Sequence, residues 1–183
     1  MRTFAAFGVM ALAMSFQSAQ AAEIESGLKV GDYPGAYYVE DITGPAAGEK
    51  LCYRCRYGSR PVVNIFARSM NAEVAKLVQQ LDGVVGKNED AGMSAFVVLL
   101  TDKPDAEAKS LKAAAGKLGI KHTPLTVFEN SAGPNKYKIS KDADITVMMW
   151  VDSDVKVNHA MKASDLNATS IAKIIGDTKK ILN

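Results

Sequence analysis

Two near-continuous apolar runs, Pro61-Val62-Val63-Asn64-Ile65-Phe66-Ala67 and Ala95-Phe96-Val97-Val98-Leu99-Leu100, constrain the fold more than any other feature of this chain. A strand with one wet face alternates apolar and polar residues, whereas a run without alternation fits a strand buried on both faces, the place of a central parallel strand. Between the runs, Val74, Leu77, Val78 and Leu81 recur at helical spacing, with Asn71 as the expected cap and Gly83 as the expected stop. Parallel strands need a crossover connection, and this helix supplies one. The expected class is α/β.

A second helix fits Asp105 to Leu118, with Leu111, Ala114, Ala115 and Leu118 on its inner face, Pro104 before it and Gly119 after it. Tyr37-Tyr38-Val39-Glu40-Asp41-Ile42 has strand composition, and Thr43 to Gly48 is turn chemistry. Pro124 to Glu129 reads as a short strand, Gly133-Pro134 as the start of a loop or helical turn, and Ile145–Val151 with Val155–Ala160 as a hairpin turning at Asp152-Ser153-Asp154. The last helix is expected from about Asn167 to Leu182, burying Ile171, Ile174, Ile175 and Leu182.

The first residues set the compartment. Arg2 is followed by an apolar stretch from Phe4 to about Phe16 and by Ala19-Gln20-Ala21, a small-x-small cleavage pattern. Residues 1–21 therefore read as a signal peptide, 22–35 as an irregular lead-in and 36–183 as one domain. The apolar stretch is shorter than the roughly 18 residues a membrane span needs. The implied location is exported, periplasmic or secreted, with no membrane association after cleavage. The 183 residues carry 22 Lys and Arg against 20 Asp and Glu, with the signs interspersed, so nucleic acid is not an expected partner.

The order of elements, an N-terminal β-hairpin, then βαβα, a short strand, a hairpin and a helix, resembles the thioredoxin-like superfamily. Within it the chain resembles the peroxiredoxin (AhpC/TSA) and TlpA/Sco-type branch, through Val30-Gly31-Asp32, Tyr38 to Gly44, and Arg60 to Ala67. The resemblance implies a central mixed sheet flanked by helices, with the hairpin as an extension. In that superfamily the reactive cysteines follow the first core strand at the start of the first helix. Here that place holds Arg68-Ser69-Met70-Asn71, so a standard peroxidatic thiol is not expected. The cis-proline step that faces those cysteines falls on Lys141-Asp142-Ala143-Asp144 if Ile145 opens the hairpin. It falls on Thr123-Pro124 if Leu125 does; the first register is the one adopted.

The only two cysteines are displaced from that place. Cys52-Tyr53-Arg54-Cys55 lies before the first core strand, in or beside the N-terminal hairpin. Three residues of extended strand span about 10 Å, beyond the roughly 7 Å limit for a disulfide, so the pair can bond only if the chain turns there. As a staple so short a loop contributes only about 2 kcal/mol. Lys50, Arg54, Arg56 and Arg60 crowd the pair, and Arg54 and Arg56 are candidates for holding a thiolate.

Three readings stand open. In the first, Cys52 and Cys55 exchange dithiol for disulfide with a protein thiol partner, Cys52 attacking by analogy with other Cys-x-x-Cys motifs. In the second, a non-catalytic thioredoxin-like binding or assembly domain carries the pair as a clip. The third is Sco-like copper handling, which would need His122 or His159 beside the sulfurs. No cofactor is expected and no metal ligand is assigned. Met148-Met149-Trp150 reads as packed strand, and Asn167-Ala168-Thr169 as a short match to a glycosylation sequon.

Overall fold

The computed structural model describes residues 24–182, and the expected signal segment, residues 1–21, lies outside them. Among the described residues, seven strands form one mixed sheet: β1 (Val39–Asp41), β2 (Lys50–Leu51), β3 (Val62–Ala67), β4 (Ser94–Thr101), β5 (Leu125–Glu129), β6 (Ile145–Val151) and β7 (Asp154–Met161). Their order across the sheet is β2-β1-β5-β4-β3-β6-β7. The two apolar runs are the neighbouring strands β3 and β4, parallel, with Val62 opposite Ser94. β5 continues the parallel set beside β4, while β6 runs antiparallel to β3 and β1 antiparallel to β5.

Period-two alternation divides β4 between two cores. Ala95, Val97 and Leu99 pack with Val74, Leu77, Leu81, Leu111 and Ile171 from α2 (Ala72–Lys87), α3 (Pro104–Leu118) and α4 (Ala168–Asp177). Phe96, Val98 and Leu100 face the other way, into an aromatic layer of Tyr37, Tyr53, Phe66, Tyr137 and Trp150. That second face is covered by the irregular lead-in, the short helix α1 (Tyr53–Tyr57) and a 3-10 turn at Asn135–Tyr137. The lead-in is held by backbone and side-chain bonds together: Gly31 N donates to the Val155 carbonyl at 2.9 Å and Val155 N to the Asp32 carbonyl at 3.1 Å, Ser26 Oγ lies 2.7 Å from Thr146 Oγ1, and Asn158 Nδ2 donates to the carbonyls of Ser26 and Leu28.

Several boundaries shift. Gly83 does not stop α2, which runs on to Lys87, because the apolar repeat continues to Val85 and an exposed glycine inside a helix costs only about 1 kcal/mol. Asn71 caps that helix as expected, accepting from the N–H groups of Glu73 and Val74. The last helix is shorter than expected: α4 ends at Asp177 and a 3-10 turn, Thr178–Ile181, finishes the chain's inner contacts. Asn167 is its cap, accepting from Thr169 and Ser170 N–H groups, so the sequon's asparagine already holds a structural position. The final hairpin turns through Asp152 and Ser153, both at positive φ, and Met148, Met149 and Trp150 are fully buried strand residues. Ile145 opens this hairpin, so Lys141–Asp144 is the loop before it; the described residues contain no cis peptide bond, and Thr123–Pro124 is trans. No helix among the described residues is long and apolar enough to cross a membrane.

Candidate functional site

Cys52 and Cys55 are joined as a disulfide with their Cα atoms 5.2 Å apart. The turn that allows this is α1, a single helical turn bounded by its own chemistry. Cys52 is the extended residue before it, and its Sγ accepts from Cys55 N at 3.1 Å. Gly58 ends it at φ 60° and ψ −122°, a conformation open to glycine and costly to other residues. Tyr53 and Tyr57, four residues apart, therefore share the face turned to the sheet, with ring centroids 5.2 and 6.0 Å from Phe96. Cys55 and Arg56 are left outside. Cys52 is 7% exposed, whereas Cys55 is open to solvent.

A buried carboxylate anchors the turn. Asp41 is wholly buried and accepts from Gly44 N, Ala46 N and the Tyr53 hydroxyl, at 2.8, 2.8 and 2.9 Å. Burial and the hydrogen bond to Asp41 push the Tyr53 phenol well above its ordinary pKa, so it stays a donor. A side chain at Gly44 would collide with the Tyr53 hydroxyl and the Asp41 carboxylate.

The arginines split in role. Arg54 turns to the lead-in: Nε donates to the Pro34 carbonyl at 2.8 Å, Nη2 reaches the Tyr33 hydroxyl and Ser153 Oγ, and the guanidinium lies 4.8 Å from the Tyr33 ring centre. Arg56 is exposed and borders a cavity of about 440 Å³ beside α1. Among the described residues no carboxylate lies in ion-pair reach of Arg54, Arg56 or Arg60. Lys50, by contrast, is 3.7 Å from Glu129.

The cavity lies between α1, the turn after β1, the end of α2 and the loop entering β5, and Tyr57, Pro45, His122 and Thr123 are among its walls. Asp82 on α2 fixes that loop by accepting from the N–H groups of Lys121 and His122. Thr123 is 2% exposed, and its Oγ1 has no hydrogen-bond partner among the described residues. His122 Nδ1 sits 2.7 Å from Glu89, and His159 Nε2 is 2.9 Å from Asp177. Among the described residues no three His, Cys, Asp or Glu side chains gather as a metal set.

The end of β3 where the superfamily keeps its cysteines is occupied differently. Arg68 donates to the carbonyls of Ala143, Ser131 and Ser140 at 2.9, 2.7 and 3.0 Å, which binds the loop before β6 to the start of α2. The disulfide lies at the opposite end, where Val62 pairs with Trp150 rather than Ala67 with Ile145. The sequence pattern missed the helical turn, Asp41, Gly44 and Thr123. The Tyr-x-x-x-Tyr-Gly spacing was the available signal for the turn.

No family model matches the chain, and no curated protein matches it. Solved structures do. A putative protein disulfide isomerase from Bacteroides thetaiotaomicron aligns with a TM-score of 0.66 at 12% identity, over 87% of this chain and 94% of that one. A putative thiol:disulfide interchange protein DsbE from Chlorobium tepidum aligns with a TM-score of 0.60 at 14% identity, over 82% and 99%. The yeast mitochondrial 1-Cys peroxiredoxin aligns with a TM-score of 0.58 at 11% identity, over 81% and 73%. At these identities the likeness is one of fold: the chain has the thioredoxin-like fold, with a mixed sheet flanked by helices and β1 and β2 as its N-terminal extension.

Proposed function

We propose that this is an exported, periplasmic or secreted, thiol-disulfide exchange protein that acts on protein thiols through Cys52 and Cys55. The observation that carries the reading is the asymmetry of the pair: one sulfur-bearing residue is buried and serves as a helix cap, and the other is exposed, directly before Arg56 on the cavity wall. A clip that only holds a turn together has no use for an open side. The Bacteroides and Chlorobium structures, whose descriptions concern disulfide isomerisation and interchange, support the same chemistry.

The exposures suggest an order opposite to the one drawn by analogy. A partner thiolate attacks Cys55 Sγ; the Cys52–Cys55 bond breaks, its electron pair leaves on Cys52 Sγ, and a partner–Cys55 disulfide forms. The Cys55 N–H that already points at Cys52 Sγ stabilises the departing thiolate, and a better leaving thiolate leaves faster. A second partner thiolate then attacks the partner sulfur of the mixed disulfide and displaces Cys55 as thiolate. The partner gains a disulfide, the protein becomes a dithiol, and two protons are released or retained according to pH.

The test combines trapping with a potential. Cys52→Ser leaves Cys55 as a free nucleophile and is expected to accumulate mixed disulfides by attacking the disulfides of exported proteins, each attack releasing the other partner sulfur as thiolate, while Cys55→Ser accumulates few. The reduction potential of the pair is expected above about −300 mV. A lower potential, with no turnover of a disulfide substrate and no trapping by either variant, would overturn the proposal in favour of a clip.

A further inference from the structure

Resting on that exchange reading, we infer that the cavity beside α1 is a recognition site for a carboxylate carried next to the partner's cysteine, so that the protein prefers acidic thiol peptides. Three observations converge. Arg56 follows the exposed Cys55 directly, borders the cavity and has no carboxylate partner among the described residues. Lys121 stands on the opposite wall, on a loop held in place by Asp82, while the acidic wall residue Glu89 is already engaged by His122. Thr123 brings to the cavity wall a buried hydroxyl with nothing to bond among the described residues. A buried polar group without a partner costs roughly 1–3 kcal/mol, and a ligand oxygen that accepts from this hydroxyl removes that cost. An arginine and a hydroxyl donor converging on one space match a carboxylate, for which a charge-assisted hydrogen bond is about twice as strong as a neutral one.

Glutathione is a small probe of this class, a cysteine between two residues that each carry a carboxylate. With the reduced protein, Cys55 thiolate attacks glutathione disulfide, forming a Cys55–glutathione disulfide and releasing one glutathione thiolate. Cys52 thiolate then attacks Cys55 Sγ, releasing the second glutathione thiolate and restoring the Cys52–Cys55 bond. Arg56→Ala is expected to slow the first step with glutathione disulfide about fivefold. The same variant should leave the rate with neutral bis(2-hydroxyethyl) disulfide within about twofold, the ordinary scale of a lost rim charge. Equal slowing with both disulfides would overturn the inference, because Arg56 would then act on the thiolate and not on the ligand.

A second arm needs no thiol chemistry. S-methylglutathione, titrated into the oxidised protein and followed by amide resonances of residues 121–123, is expected to shift them. Thr123→Val, which removes the hydroxyl without changing the shape, should weaken that binding about threefold or more. Unmoved resonances would sink the cavity assignment even if exchange proceeds. Absence of reaction with either disulfide, alongside clear peptide binding, would instead fell the exchange reading and keep the site.

Discussion

Asp41 shows how much one buried side chain decides at this end of the molecule. Its carboxylate has two backbone donors and one phenol, and the phenol is the link between the β1–β2 turn and the helix that carries the cysteines. Tyr53→Phe keeps the ring on Phe96 but leaves a wholly buried carboxylate one donor short. The expected cost is about 2 kcal/mol, read as a lower urea midpoint with an unchanged slope. Asp177 plays the matching part at the other side of the sheet. Burial pushes its pKa up, but hydrogen bonds from Lys180 and His159 outweigh that and hold it below the ordinary carboxylate range. A carboxylate with a depressed folded pKa stabilises the protein above its unfolded pKa, near 4, and the contribution is lost as pH falls through the folded value. Thermal scans from pH 6 down to pH 2 should therefore show a steeper acid loss in the wild type than in Asp177→Asn.

At the scale of elements, two glycines make the contrast that the sequence pattern could not. Gly58 and Gly83 look alike as punctuation, yet one ends α1 at a φ of 60° and the other sits exposed inside α2, where an added Cβ would meet nothing within 4 Å. Gly58→Ala is expected to destabilise by about 1–3 kcal/mol, and Gly83→Ala to stabilise by about 0.5–1 kcal/mol; chemical denaturation of the two variants side by side checks both signs. The strands and long helices were legible because period and length mark them: β3, β4 and the repeat Val74, Leu77, Val78, Leu81 needed no tertiary knowledge. α1 was not, because a one-turn helix has no period to read and is held by Phe96, Asp41 and Gly44, residues brought to it only by the fold. The spacing of Cys52 and Cys55 made a turn the condition for their bonding. The helical form of that turn was not legible.

On the scale of the whole molecule, the sheet has two chemically different ends about 17 Å apart along β3. One holds the exposed Cys55, Arg56 and the cavity; the other holds Arg68, whose guanidinium is bonded to three carbonyls. The cysteine pair therefore stands at the end of β3 away from Arg68-Ser69-Met70-Asn71, a displacement legible from the order of the residues alone. The separation makes a prediction about independence. Arg68→Ala removes three hydrogen bonds from a charged donor and leaves carbonyls that water can reach in part, so stability should fall by about 2–3 kcal/mol. Sites this far apart with no shared partner ordinarily behave additively. The rate at which the Cys52–Cys55 bond is opened by a neutral thiol should then stay within about twofold of wild type, below the unfolding transition. Stopped-flow reduction of wild type, Arg68→Ala and Tyr53→Phe provides the comparison: a large rate change in Arg68→Ala would mean that the two ends are coupled through β3, whereas a change confined to Tyr53→Phe places control of the disulfide in α1 and its anchor.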